Sequence, residues 1–170
     1  MLIGIDPGCS GAIVATNDTA TTVVWWSLMP TLKVGKSTRI NGAALGDSLR
    51  WLCSDQIHGP AHAYLEQVHA MPKQGVTSVF TFGHAAGVAE GLLQGLGIPY
   101  TLVPPQTWKK RAGLIGQDKD AARSRAIQLW PQWRTLDAKG KGQALADAAL
   151  IARYGSEAVT GQHHLMAGMA

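Results

Sequence analysis

The first fifteen residues, MLIGIDPGCSGAIVA, contain two short apolar runs separated by a segment rich in turn-forming residues. Proline, glycine and serine at this spacing favour a tight turn, so the sequence predicts two adjacent strands at residues 2–6 and 11–16. The first run ends at Asp6. A carboxylate at this point is costly to desolvate unless a cation, a metal ion or backbone donors compensate its charge. Asp6 is therefore either an ordinary turn residue or the ligand of such a partner.

The rest of the pattern predicts strands alternating with helices. A third strand is expected at 22–28, followed by a loop from Pro30 to Ile40 and a helix that Asn41 is placed to cap. Further strands are expected at 61–68 and 98–103, and further helices at 77–95, 106–112, 118–130 and 142–154. This order predicts an α/β fold in which a mixed five-stranded sheet, an antiparallel meander followed by β-α units, is flanked by helices.

The length of 170 residues fits one domain with a well-buried core. We place this domain at residues 1–155 and expect residues 156–170, which have little to bury, to form a flexible C-terminal tail. No apolar stretch is long enough for a membrane span, no signal peptide opens the chain, and the two cysteines, Cys9 and Cys53, make no disulfide framework. These features predict a cytoplasmic protein with no membrane partner.

Positive charge is concentrated in one part of the chain. The segment from Thr101 to Lys141 has nine basic and three acidic residues, so its net charge is +6, whereas the whole chain carries +4. A concentrated basic segment favours a polyanionic partner, but a solvated helix face has the same composition. Charge alone leaves both interpretations open.

Glycines recur at every fourth position of the predicted helix at 77–95, namely at Gly83, Gly87, Gly91 and Gly95. Each isolated glycine costs a helix roughly 1 kcal/mol relative to alanine, so a row of them indicates that another backbone approaches closely. The approaching backbone is either the sheet of the same chain or the helix of a second copy.

Three acids occupy apolar surroundings: Asp6 at the end of the first strand, Glu66 in the strand YLEQV, and Asp147 in the helix ALADAALIA. Converging carboxylates repel one another unless a divalent cation lies between them. Oxygen ligands without a cluster of histidine or cysteine select Mg²⁺ or Mn²⁺ over zinc. Two such ions about 4 Å apart activate a water molecule and stabilise the leaving oxygen in phosphodiester hydrolysis.

At this point the chain resembles a known family, the RuvC-like Holliday junction resolvases of the phage-borne kind, which belong to the ribonuclease H-like superfamily. Four segments in the family's order carry the resemblance: GIDPGCSGAIV at 4–14, YLEQVHAM at 64–71, PPQTWKKRAGLIGQDKDAARSRA at 104–126, and ALADAALIARYG at 144–155.

The resemblance implies a homodimeric endonuclease that nicks four-way or otherwise branched DNA, in a bacterial or phage-infected host cytosol, and leaves a 5′-phosphate and a 3′-hydroxyl. It implies that Asp6, Glu66 and Asp147 are catalytic and bind two Mg²⁺ ions, for which Mn²⁺ can substitute. Lys109 and Lys119 of this chain match two lysines that the family has near its active site. We expect DNA contacts from Lys33, Lys36, Arg39, His69, Lys73, Lys109, Lys110, Arg111, Lys119 and Arg123.

The chain departs from the family pattern at one place. The family usually has a fourth metal ligand, an aspartate or a histidine, three or four residues before the last acid. Here Gln143 and Ala144 occupy those positions, and Asp137 is more distant. Gln143 can offer an amide oxygen as a weak ligand. An alternative function is therefore a catalytically impaired protein that binds junctions, and a remote alternative is an actin-like sugar kinase or ATPase, whose first strand has a similar turn.

Overall fold

A computed structural model of the chain describes residues 1–54, 60–69 and 75–167, with side chains as far as residue 156. The strands are β1 (Leu2–Ile5), β2 (Ala12–Thr16), β3 (Val23–Leu28), β4 (Thr31–Val34), β5 (Ser37–Ile40), β6 (His62–Glu66) and β7 (Tyr100–Val103). The α-helices are α1 (Gly42–Leu52), α2 (Val76–Gly95), α3 (Pro105–Arg111), α4 (Ala121–Leu129) and α5 (Lys139–Ala167), and a short 3₁₀ helix (Arg134–Asp137) precedes α5.

The main sheet has five strands in the order β3-β2-β1-β6-β7. The first three strands form an antiparallel meander, whereas β6 lies parallel to β1 and β7 lies parallel to β6. The predicted mixed sheet with flanking helices is thereby confirmed. Because β1 and β6 are parallel, their carboxyl ends meet at the same edge of the sheet.

The sheet is buried on both faces, which explains why β1 and β2 are almost entirely apolar. On one face, Ile3, Ile5 and Ile13 pack against α1 and α2. On the other face, Val14 packs with the core residues of α3, α4 and α5. The alternation of side chains along each strand therefore divides the core into two layers. As expected, Asn41 caps α1, because its side chain accepts a hydrogen bond from the backbone N–H of Ala44 at 3.2 Å.

The predicted loop from Pro30 to Ile40 is wrong, because this segment is a hairpin formed by β4 and β5, outside the main sheet. Val34 pairs with Ser37 across a two-residue turn, and Gly35 provides the positive φ of 58° that this turn requires. The segment was assigned to a loop because its strands are short and polar, and three of its residues are basic.

The last helix is longer than the predicted span of 142–154. Its backbone begins at Lys139 and continues to Ala167, so the segment predicted as a tail is helical over most of its length. No proline interrupts residues 155–167, and this absence of a stop signal lets the helix continue. A bilayer-spanning helix, which needs a long apolar stretch, is not found in the part of the chain that the structure describes.

The glycine row of α2 does not pack against the sheet of its own chain. A Cβ atom added at Gly83, Gly87, Gly91 or Gly95 would meet no other atom within 4 Å. The residues that α2 buries are Ala85, Ala89 and Leu93, which lie on the opposite side of the helix. The first interpretation of the row is therefore wrong, and the glycines form an open surface.

Candidate active site

The strand register brings the first two acids together. Ile5 of β1 is paired with Leu65 of β6, so the next residue on each strand, Asp6 and Glu66, lies at the shared carboxyl edge. Glu66 is the last residue of β6, and both side chains are only partly exposed. Adjacent parallel strands therefore place two carboxylates side by side, as the sequence predicts.

The third acid comes from α5, which lies directly on the backbone of β1. A Cβ atom at Gly4 would overlap the carbonyl oxygen of Ala148 and would lie 2.6 Å from the backbone nitrogen of Ala152. Only glycine permits this close approach of helix to strand. Since Asp147 precedes Ala148 on the same helix turn, the contact brings its carboxylate to the end of β1.

The turn after β1 is built around the carboxylate of Asp6. The backbone N–H of Gly8 donates a hydrogen bond to Asp6 Oδ1 at 3.2 Å, and the backbone N–H of Asp6 donates to Ala12 O at 3.0 Å. A Cβ atom at Gly11 would overlap Asp6 itself, so Gly11 lets the chain return past the acid. Asp6 is therefore both a turn residue and a carboxylate held in a fixed position.

Burial and the neighbouring carboxylates of Glu66 and Asp147 together raise the pKa of Asp6 from 3.8 to about 7, against the lowering effects of the Gly8 N–H and the Lys109 ammonium. Burial, with a smaller contribution from the charge of Glu66, raises the pKa of Asp147 to about 6 despite the lowering effects of the Gln143 hydrogen bond and the Lys109 charge. The two acids thus lack enough compensating charge from the protein. A bound cation would supply that charge.

Gln143 lies one helical turn before Asp147 and faces the same site. Its Nε2 donates to Asp147 Oδ1 at 3.2 Å and to Asp147 Oδ2 at 3.3 Å. Its Oε1 is buried and has no hydrogen-bond partner. In contrast, Ala144 belongs to the apolar core, and Asp137 pairs with Arg134 at 2.7 Å. Of the three positions that could hold a fourth ligand, Gln143 alone contacts one of the acids, and it does so through its Nε2.

In the described part of the chain, no group of three or more His, Cys, Asp or Glu side chains is arranged to hold a metal ion. The three acids therefore do not form a closed cage. Mg²⁺ usually keeps several water ligands and is bound through one or two carboxylates together with substrate phosphates, so it needs no such cage. The uncompensated acids fit an ion of this kind.

Trp108 is a site residue that the sequence analysis missed. Its indole is only 1% exposed, and its Nε1 donates a hydrogen bond to Glu66 Oε1 at 2.9 Å. The Nζ atom of Lys109 lies 5.3 Å from the centre of the same ring. One buried indole therefore contacts both an acid and the lysine that acts on the other two acids. A tryptophan between polar residues in QTWKK was the available signal, but its partner is distant in sequence.

A cleft of about 370 Å³ opens beside Glu66, between the end of β6, α2 and β7. His69 lines this cleft and is exposed, and Phe82 and Glu90 form part of its α2 wall. Gly83 and Gly87 of the glycine row also line this cleft, so it adjoins both the acidic edge of the sheet and the open face of α2. The DNA contact expected from His69 stays a prediction, and the structure places the residue beside Glu66 at this cleft.

The predicted basic residues occupy different surroundings. The exposed ones are Lys33, Lys36 and Arg39 on the β4–β5 hairpin, Lys110 and Arg111 on α3, and Lys119 between α3 and α4. Arg123 differs, because its side chain is only 19% exposed and its Nη1 donates to Leu136 O at 3.3 Å. Among the described residues, no contact joins Lys119 to the acids. Lys73 lies outside the described residues.

No protein-family model matches the chain, and no curated protein matches its sequence. Solved structures of RuvC do match. A Thermus thermophilus RuvC structure in complex with a Holliday junction substrate is 15% identical, with a TM-score of 0.59, and the match covers 94% of this chain and 95% of that one. Another Thermus thermophilus RuvC structure is 16% identical, with a TM-score of 0.53 and the same coverage. The fold is therefore that of RuvC, and the resemblance is confirmed at the level of the fold.

Proposed function

We propose that this chain is a metal-dependent, structure-selective endonuclease that nicks four-way or other branched DNA by two-metal phosphodiester hydrolysis. The observation that carries the proposal is the meeting of Asp6, Glu66 and Asp147 at one edge of the sheet, two of them with strongly raised pKa values. Buried acids without sufficient counter-charge are characteristic of functional sites. The RuvC fold, seen in one neighbour with a Holliday junction substrate, supports DNA as the partner.

We assign to Asp6 the role of the ligand shared between two ions, as the family resemblance implies, and the neighbouring charges of Glu66 and Asp147 agree with it. Bound Mg²⁺ or Mn²⁺ supplies the positive charge that activates water and stabilises the leaving oxygen. Gln143 donates to Asp147 through its amide Nε2, and Trp108 donates to Glu66, so each of them holds one acid in its orientation. Lys109, which faces the acids, is placed to hold the phosphate of the strand to be cut.

We also propose that two copies pair through α2. Val76 and Phe80 are 87% and 68% exposed, and they lie on the same helix face as Gly83 and Gly87. Such a face lets a second helix approach closely at the glycines and bury the two apolar side chains. A pair of active sites would allow both strands of a junction to be cut.

The alternative is a protein that binds junctions without cutting them. It is favoured by one observation, that an amide stands beside Asp147 where an acid would add charge for a second ion. The remote alternative, an actin-like kinase or ATPase, gains no support from the described residues, because their main sheet and its helices match RuvC over 94% of the chain.

An end-labelled four-way junction and a duplex of the same sequence distinguish these functions. In Mg²⁺ we expect wild type to nick the junction and Asp147→Asn to lose nicking, while both bind it equally in EDTA. Asp137→Asn is the matched control, because Asp137 is an exposed acid paired with Arg134. Equal nicking by Asp147→Asn would contradict the proposed site. Tight junction binding with no nicking in Mg²⁺ or Mn²⁺ would establish the alternative.

A further inference from the structure

Phe82 of α2 packs beside the turn that follows β1. A Cβ atom added at Gly8 would lie 3.6 Å from Phe82 Cε2 and 3.6 Å from Asp6 Oδ1. The edge of the Phe82 ring and the carboxylate of Asp6 therefore lie close to the same point, next to the Gly8 backbone. Phe82 also lines the cleft beside Glu66. One aromatic side chain is thus near two of the three acids.

The two core layers do not account for Phe82. Its side chain is partly exposed, and neither layer includes it in the part of the chain that the structure describes. The residues that α2 buries fully begin at Ala85, and in the segment 76–84 only Val79 and Phe82 are partly buried. Phe82 is the larger of the two, and its neighbours are the Asp6 turn and the cleft rather than the core.

The backbone that Phe82 approaches is a direct partner of Asp6. The N–H of Gly8 donates a hydrogen bond to Asp6 Oδ1 at 3.2 Å. Glycine has no side chain to restrict its backbone, so the orientation of this N–H depends on what packs against Gly8. Groups that orient a metal ligand from outside change the metal affinity although they do not touch the ion. The Phe82 ring is placed to act in this way on Asp6.

We propose that Phe82 is a positioning residue of the acidic site. By packing against Gly8 it holds the N–H that orients the carboxylate of Asp6, and it limits the space into which this carboxylate can rotate. Phe82 acts through Gly8, so it is not a catalytic residue. This inference rests on the proposed function, because it requires Asp6 to bind a divalent cation.

The test compares Phe82→Ala with wild type in Mn²⁺ binding by electron paramagnetic resonance, in nicking at saturating junction, and in junction affinity in EDTA. We expect Mn²⁺ affinity and nicking each to fall about 10-fold or more, and junction affinity in EDTA to stay unchanged. Phe82→Leu should recover most of the loss, because apolar bulk remains against Gly8.

Leu92→Ala is the matched control. Leu92 is a partly buried residue of the same helix, about 15 Å further along its axis. Its Cδ2 would lie 3.4 Å from a Cβ atom at Gly46, so it packs against α1 instead of the Asp6 turn. Its truncation removes an apolar contact of α2 and should leave Mn²⁺ affinity at the wild-type value. Urea unfolding midpoints establish that each variant is folded.

If Phe82→Ala fails to fold, Phe82→Val takes its place, because its shorter side chain should lose more Mn²⁺ affinity than leucine does. Equal Mn²⁺ affinity of these two variants and wild type would refute the role of Phe82.

The remaining outcomes separate the two proposals. If wild type neither binds Mn²⁺ nor nicks the junction, the proposed function fails, and the inference fails with it. If wild type does both and Phe82→Ala matches it, only the positioning role is refuted. An equal loss of Mn²⁺ affinity in Leu92→Ala would assign the effect to general destabilisation and overturn that role. A loss of junction affinity in EDTA would make Phe82 a DNA contact and overturn it as well.

Discussion

Replacement of Asp6 by asparagine should stabilise the metal-free protein at alkaline pH. The folded protein raises the pKa of Asp6 from 3.8 to about 7, so the folded state binds a proton that the unfolded state releases. Stability must then fall as the pH rises from about 4 to 7. Each pKa unit corresponds to about 1.36 kcal/mol, so the ionised carboxylate costs up to about 4 kcal/mol at pH 8.

Asparagine removes this cost because it is a neutral side chain of the same shape. Its oxygen can still accept the hydrogen bond from the Gly8 N–H. Urea unfolding in EDTA should show Asp6→Asn to be more stable than wild type by up to about 4 kcal/mol at pH 8 but by only about 1 kcal/mol at pH 4.5. Addition of Mg²⁺ should stabilise wild type and leave the variant unchanged, because only wild type retains the shared carboxylate.

The control is Asp47→Asn, since the side chain of Asp47 is 73% exposed and its pair with Arg50 lies at the surface. Loss of an exposed pair changes the free energy of unfolding by less than about 1 kcal/mol at either pH. The reasoning is refuted if Asp6→Asn destabilises the protein at pH 8, or if its effect is the same at pH 4.5 and pH 8.

Three further changes test other parts of the account. Trp108→Phe removes the hydrogen-bond donor to Glu66, so nicking should slow about 10-fold or more and need a higher Mg²⁺ concentration. Junction affinity in EDTA should stay constant. An unchanged Mg²⁺ dependence of nicking would contradict the role of Trp108 in positioning Glu66. Gln143→Asp should lower the Mg²⁺ concentration needed for nicking, because Gln143 contacts Asp147. Ala144→Asp should instead destabilise the fold by about 3 kcal/mol or more in urea unfolding, because it buries a charge in the core. Equal behaviour of the two variants would refute the placement of Gln143. Gly87→Lys should convert a dimer to a monomer in light scattering and stabilise α2 by about 1 kcal/mol, and a dimer that persists would place the interface elsewhere.

The acidic edge could be predicted from the sequence because each of its parts has a local signal. An apolar strand that ends at Asp6 before a glycine-rich turn indicates a strand end. Glu66 was expected within a strand at 61–68, and the structure ends that strand at Glu66 itself. Only the parallel pairing of β1 with β6 brings the two together, and β-α connectivity implies that pairing. The helix that carries Asp147 was also expected, although its ends were not.

Features that depend on distant contacts could not be predicted. The hydrogen bond from Trp108 to Glu66 joins residues 42 positions apart, and the choice between Gln143 and Ala144 depends on which side of α5 meets the sheet. The glycine row of α2 was ambiguous because small residues serve buried and open faces equally well. The hairpin was missed because its strands are short and face solvent, so they lack the apolar alternation of a sheet on a core.

The central claim is that Asp6, Glu66 and Asp147 are held together to bind divalent cations. Electron paramagnetic resonance of Mn²⁺ titrated into the metal-free protein at pH 7.5 tests it directly, because free Mn²⁺ gives a signal that bound Mn²⁺ loses. The account predicts that wild type and Asp137→Asn bind Mn²⁺, with two ions per chain at saturation, and that Asp6→Asn loses this binding. Equal Mn²⁺ binding by wild type and Asp6→Asn, or none by either, would contradict it.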